Sequence, residues 1–151
     1  MKLKKSKNEN KNASIICNEV RQIYDWLDEN IKNLDPQCSA CGKCCNFESF
    51  GHKLFITTPE LLYFFKNVKP LRKMSTQSCP YLEDGKCTAR VSRFAGCRIF
   101  FCKADTDTQN KLSETVVGKF KAICDKFNLP YYYADLRTAL NSPELAKLVQ
   151  L

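Results

Sequence analysis

Four thiols fall within eight residues in the run "CSACGKCC", from Cys38 to Cys45, and four more follow at Cys79, Cys87, Cys97 and Cys102. Disulfide cross-links, a reactive nucleophile and a bound metal are three chemistries that could use such a cluster. A permanent disulfide framework belongs to small exported domains, because cytosolic glutathione and thioredoxin keep thiols reduced. The N-terminal "MKLKKSKNENKNAS" has the positive charge of a secretory leader without the apolar stretch that must follow it, so a cytoplasmic location is expected. A thiol nucleophile needs a base within reach, and His52 is the only histidine in the chain. One lone imidazole is more often structural than catalytic. Metal coordination is left as the chemistry that uses the whole set.

The spacing C-x2-C-x2-C-C favours a metal, because cysteines three apart on a turn can aim their sulfurs at one point while backbone amides face the same negative centre. Structural zinc sites usually pair two C-x2-C knuckles from separate segments. Three evenly spaced thiols in one segment are instead the opening of a bacterial ferredoxin run, C-x2-C-x2-C-x3-C-P. Glu48 stands where the fourth ligand of that run would be, but Cys79-Pro80 supplies a "CP" further on. Both Zn²⁺ and a [4Fe-4S] cluster accept four thiolates, and spacing leaves the two open. Neighbouring Cys44 and Cys45 diverge in most backbone conformations, so they suit different centres, and eight thiols divide into two sets of four. A single site with spare structural cysteines is the competing arrangement.

Such a centre carries negative charge, and the later cysteines stand among cations. Lys86, Arg90, Arg93, Arg98 and Lys103 oppose only Glu83 and Asp84. Arg98, directly after Cys97, is the leading candidate to lie beside the cofactor and offset its charge, the competing reading being an ordinary surface arginine. Cys17 and Cys124 sit within helical patterns beside apolar residues and are read as core packing.

"CSACGKCC", then "CPYLEDGKC" and "RFAGCRIFFC", together resemble the bacterial CxxCxxCC cysteine-cluster family, described as zinc- or iron-chelating proteins. The resemblance spans Cys38 to Cys102 and matches eight cysteines in order, with the Cys-Pro, the hairpin glycine and the Cys-Arg pair. It implies that Cys38, Cys41, Cys44, Cys45, Cys79, Cys87, Cys97 and Cys102 are metal ligands. Arg93-Phe94 stands where the family often has Arg-Pro, and Phe101 where a proline often precedes the last cysteine. Both departures concern loop shape. Longer relatives with this motif include lysine methylases acting on flagellin, whose additional segments have little room in 151 residues, so that activity is not carried over.

The elements that must position these thiols are mostly helical. Ile16, Val20, Ile23, Tyr24, Leu27, Ile31 and Leu34 recur at three- and four-residue steps, predicting an amphipathic helix over 13–34 that stops at Asp35-Pro36. "HKLFIT" reads as a short strand, followed by a helix in "TPELLYFFKNV" with Thr58 as N-cap and Pro59 in the first helical position. Asp84-Gly85 between short flanks predicts a tight hairpin able to bring Cys79 and Cys87 together. "TARVSRFAGCRIFFC" has no clear period and reads as a turn or short helix. "SETVVGKFKAICDKFN" predicts a helix capped by Ser113 and stopped by Pro130, and "SPELAKLVQL" a last short one. The expected fold is mainly α: a small irregular cysteine-rich metal-binding centre with a short β-hairpin, packed by flanking helices. Residues 1–12 are read as a disordered basic tail and 13–151 as one domain.

Charge and hydropathy narrow the partners. No run approaches the length of a membrane span, so no membrane partner is expected. Lys2, Lys4, Lys5, Lys7 and Lys11 against Glu9 put half of the +8 net charge into the first twelve residues. Eight thiolates around two Zn²⁺ would bring the remainder near neutrality, so the basic balance argues little for nucleic acid. No G-x-x-x-x-G-K-[ST] or G-x-G-x-x-G run offers a nucleotide site. Three functions fit: a metal-cluster protein for electron transfer, metal handling or support of an enzyme; a zinc-stabilised module presenting Tyr131, Tyr132 and Tyr133 to a protein partner; and an iron-sulfur-dependent oxidoreductase or methyl-transferring enzyme.

Overall fold

The computed structural model describes residues 7–34, 45–46, 53–69, 71–100 and 105–148. Cys38, Cys41, Cys44, Cys102 and His52 lie outside them. Helix α1 spans Lys7–Lys32 and β1 Phe55–Thr57, followed without a break by α2, Thr58–Asn67. The hairpin strands β2 (Leu82–Glu83) and β3 (Lys86–Cys87) lead to a 3₁₀ turn at Arg90–Ser92 and a five-residue helix α3, Ala95–Ile99. The long helix α4 is Thr106–Phe127, and β4 (Tyr133–Asp135), α5 (Leu136–Asn141) and α6 (Pro143–Leu148) complete the described chain. The fold is mainly helical, as the periodicities predict.

The apolar stripe of α1 is its buried face. Ala13, Ile16, Val20, Tyr24, Leu27 and Ile31 all lie in the core, where α1 packs against α2, α3 and α4. The helix begins six residues before the expected start, so Lys7–Asn12, read as tail, is helical. Lysine, glutamate and asparagine tolerate a helix once Ala13 and Ile16 anchor its first buried turn, and propagation costs far less than nucleation. Leu34, assigned to the stripe, lies past the helix end and is 45% exposed.

Aromatic side chains fill the centre. Tyr24 meets Tyr63 edge-on at 5.4 Å and Phe120 at 6.0 Å, while Phe64 stacks on Phe94 at 4.6 Å and meets Tyr81 at 5.0 Å. These contacts tie α1, α2 and α4 to the segment that carries the hairpin and α3.

Helix α2 is capped by Thr57, one residue before the threonine read as its cap. Thr57 and Glu60 form a capping box, and Thr58 occupies the first helical position with Pro59 next. Thr58 then serves elsewhere: its amide donates to the Tyr132 carbonyl at 3.2 Å, and its hydroxyl donates to the Pro130 carbonyl and accepts from the Tyr132 amide, each at 2.8 Å. These bonds hold β4 antiparallel to β1, with Phe55 opposite Asp135 and Thr57 opposite Tyr133. Strand β1 lies within the strand expected from "HKLFIT", while its partner β4 falls where no strand is expected.

Helix α4 starts seven residues before the proposed Ser113 cap. Asp105 is the cap, its carboxylate accepting from the Thr108 amide at 3.0 Å and the Thr108 hydroxyl at 2.8 Å. The first turns are polar, so apolar periodicity begins only near Leu112 and hides the true start. The helix ends at Asn128 in left-handed geometry (φ 52°), two residues before the expected proline stop.

The hairpin forms as predicted. Asp84 (φ 49°) and Gly85 (φ 73°) both take positive φ, which a two-residue turn of this twist requires, and Leu82 pairs with Cys87 and Glu83 with Lys86. Asn141 on α5 clasps the preceding loop, accepting from the Met74 amide at 2.9 Å and donating to its carbonyl at 2.8 Å.

Candidate metal centre

Four of the eight proposed ligands are described: Cys45, Cys79, Cys87 and Cys97, all half-buried. Cys45 ends the cluster run, Cys79 opens the hairpin segment, Cys87 closes β3 and Cys97 sits inside α3. The cluster run and the hairpin meet directly. The Cys79 amide donates to the Cys45 carbonyl at 2.9 Å, and Asn46 bridges Ser78 in antiparallel fashion. The Cys45 side chain also lies close enough to Cys87, 42 residues further on in sequence, to act on the acidity of its thiol.

The pKa of Cys87 is lowered to about 6. The Cys45 side chain is the largest cause, burial opposes it, and the Ala89 amide with the charges of Arg93 and Arg90 adds to the lowering. A thiol so placed is ready to be a thiolate, the form that ligates metals. Among the described residues, no group of three or more cysteine, histidine or acidic side chains converges as a metal site would require. No disulfide joins any two of the six described cysteines.

Cys97 and Arg98 occupy the turn facing α1. Arg98 is only 8% exposed, which removes the surface reading. Its Nε donates to the Arg93 carbonyl at 2.9 Å, one terminal nitrogen to the Val91 carbonyl at 3.0 Å, and the other to Asp28 on α1 at 2.6 Å. The guanidinium also covers the Tyr24 ring, 4.2 Å from its centroid. Arg98 spends its planar fork on the protein's own acceptors, fastening the 3₁₀ turn and α3 to α1. Asp28, 48% exposed at its side chain, shares the Arg98 charge with solvent.

The two cysteines read as packing behave as such. Cys124 on α4 is 1% exposed, and burial with the nearby Asp125 charge pushes its thiol up to about 11. Cys17 is half-buried against the core, and burial raises its pKa despite the opposing charge of Lys66. Neither environment favours a thiolate.

Glu60 is the one acid buried in the described core and is not among the expected site residues. It is 2% exposed, and burial pushes its carboxyl up while donors from Ala95, Thr57 and Tyr24 pull it back. A threonine three residues before a glutamate at a helix start was the available signal.

Comparison with known proteins finds no matching family model, no matching curated protein and no matching solved structure. Among the described residues no helix is long and apolar enough to cross a membrane.

Proposed function

We propose that this chain is a thiolate metal-binding protein of the CxxCxxCC kind, acting in the cytoplasm in electron transfer, metal handling or support of a larger enzyme. Cys45 and Cys87 would share a Zn²⁺ ion or a [4Fe-4S] cluster with thiols of the Cys38–Cys44 run. The observation that carries this reading is the meeting of the cluster run with the hairpin segment: the Cys79 amide donates to the Cys45 carbonyl at 2.9 Å and Asn46 bridges Ser78. Zinc bound there would add a cross-link between the two segments, and an iron-sulfur cluster would also supply a one-electron centre.

The protein's own contribution is positional. The Asp84-Gly85 turn sets Cys87, the Cys79 amide fixes the Cys45 backbone, and two arginines favour the deprotonated sulfur. An absorption spectrum of anaerobically purified protein separates the metals, since iron-sulfur gives a broad visible band and zinc gives none. Cys87→Ser is expected to lower metal content and thermal stability together. Unchanged loading in that variant would remove Cys87 from the ligand set.

A second reading, a zinc-stabilised interaction module, is favoured by one feature. Phe55, Tyr132 and Tyr133 are 42%, 44% and 49% exposed along the β1–β4 ribbon, with Phe55 and Tyr133 rings 5.3 Å apart. In that reading the protein is colourless, and the aromatic ribbon rather than the thiols is the working surface.

A further inference from the structure

The buried Glu60 carboxylate joins two elements. One oxygen accepts from the amide and the hydroxyl of Thr57, both at 2.9 Å, which completes the cap of its own helix α2. The other accepts from the Ala95 amide at 2.7 Å and the Tyr24 hydroxyl at 3.3 Å. Ala95 is the first residue of α3, whose N-cap, Phe94, offers no side-chain bond to the helix.

A five-residue helix does not hold itself, and its leading amides need outside acceptors. Glu60 provides one, and its negative charge lies at the positive end of the helix. Cys97 follows Ala95 by two residues and Arg98 by three. The Cys97 turn is thus fixed from both sides, by Glu60 at its start and by the Arg98 clasp on α1. Tyr24 serves both anchors, its hydroxyl on Glu60 and its ring under the Arg98 guanidinium.

We infer that Glu60 is the positioning residue for Cys97, setting where that sulfur meets a metal; the inference rests on the metal-binding reading above. Glu60 does not touch the sulfur and acts only through the Ala95 amide. In Glu60→Gln an amide NH₂ replaces one oxygen and meets donors head-on, so the start of α3 loses its anchor or α2 loses its cap.

The test loads the full chain with cobalt(II) under nitrogen and reads affinity and the thiolate-to-cobalt absorption per bound ion, well below the unfolding temperature. Glu60→Gln is expected to weaken cobalt binding by about tenfold or more, as loss of a charged hydrogen bond would, and to reduce the band per ion. Thr57→Ala is the matched control, because it removes a bond to the other oxygen and leaves Ala95 anchored. It is expected to lower the melting temperature while keeping affinity and band unchanged. The inference is overturned if Glu60→Gln keeps the unaltered affinity and band, or if Thr57→Ala loses as much as Glu60→Gln does.

Should Glu60→Gln not fold, Ala95→Pro deletes the donor itself and is judged by the same two results. Proline is accepted at the first helical position, and Phe94 (φ −66°, ψ 161°) already has the extended geometry required before it. If the unaltered chain takes up no cobalt, the metal reading falls and this inference with it. If it loads and Glu60→Gln matches it, only the inference falls.

Discussion

Arg98 answers to a packing argument that its charge alone does not reveal, being 8% exposed and bonded to three protein acceptors. The count of basic residues near the later cysteines pointed to it, and nothing in the sequence revealed that Asp28, Val91 and Arg93 would occupy its fork. Breaking a buried ion pair from one side is costly, and the exposure of Asp28 tempers that cost. Arg98→Met is expected to lose about 2–3 kcal/mol in urea unfolding. Arg98→Lys, which keeps the charge but not the three-way geometry, should recover less than half of that loss. Full recovery by lysine would show that charge alone is required. Cys124 was legible, since a cysteine on an apolar helical stripe is usually core. Cys124→Ser should cost about 1–3 kcal/mol for an unsatisfied buried hydroxyl and leave metal content unchanged, checked by unfolding and elemental analysis on the same preparation. Glu60 was half legible. The Thr57-x-x-Glu60 box is printed in the chain, but adjacent threonines hid which one caps, and the bond to Ala95, 35 residues away, has no local sign.

Among the elements, those specified locally were readable and those specified by distant partners were not. The hairpin needed only Asp84-Gly85, whose positive φ angles few other residue pairs tolerate. Gly85→Ala is expected to cost about 1–2 kcal/mol, the penalty of a side chain in left-handed backbone, and to loosen Cys87 from its pairing with Leu82. A thermal melt and the rate of Cys87 alkylation would check both effects. Strand β4 escaped notice because its pairing with β1 joins residues up to 80 positions apart, Phe55 with Asp135, and three consecutive tyrosines show no alternation. The first turns of α4 escaped because their residues face solvent and carry a polar pattern, leaving only the Asp105-x-x-Thr108 cap as a sign. Where α4 meets α1, Phe120 is fully buried against Tyr24. Phe120→Ala should therefore cost about 3–5 kcal/mol in equilibrium unfolding.

Across the whole molecule, the helical core and the cysteine segment make different demands on stability. The core of α1, α2 and α4 is apolar and aromatic, with Tyr24, Leu27, Leu61, Leu62 and Phe120 at most 2% exposed. The hairpin and α3 have short elements, and their hold on the core runs through Phe94, Tyr81, Glu60 and Arg98. Metal held by thiols from the two segments would add its binding energy to folding there. Removal of metal by a strong chelator is thus expected to lower the melting temperature while leaving most of the helical circular dichroism in place. Which metal the proposed centre would hold is not legible in the sequence, because tetrahedral thiolate sets serve zinc and iron alike. Elemental analysis of the full-length protein, isolated without oxygen and freed of loosely held ions, tests the central claim most directly. The account predicts zinc or iron, the latter with sulfide, in at least one full equivalent per chain. Protein that is folded, with its thiols reduced, and holds neither element would contradict it.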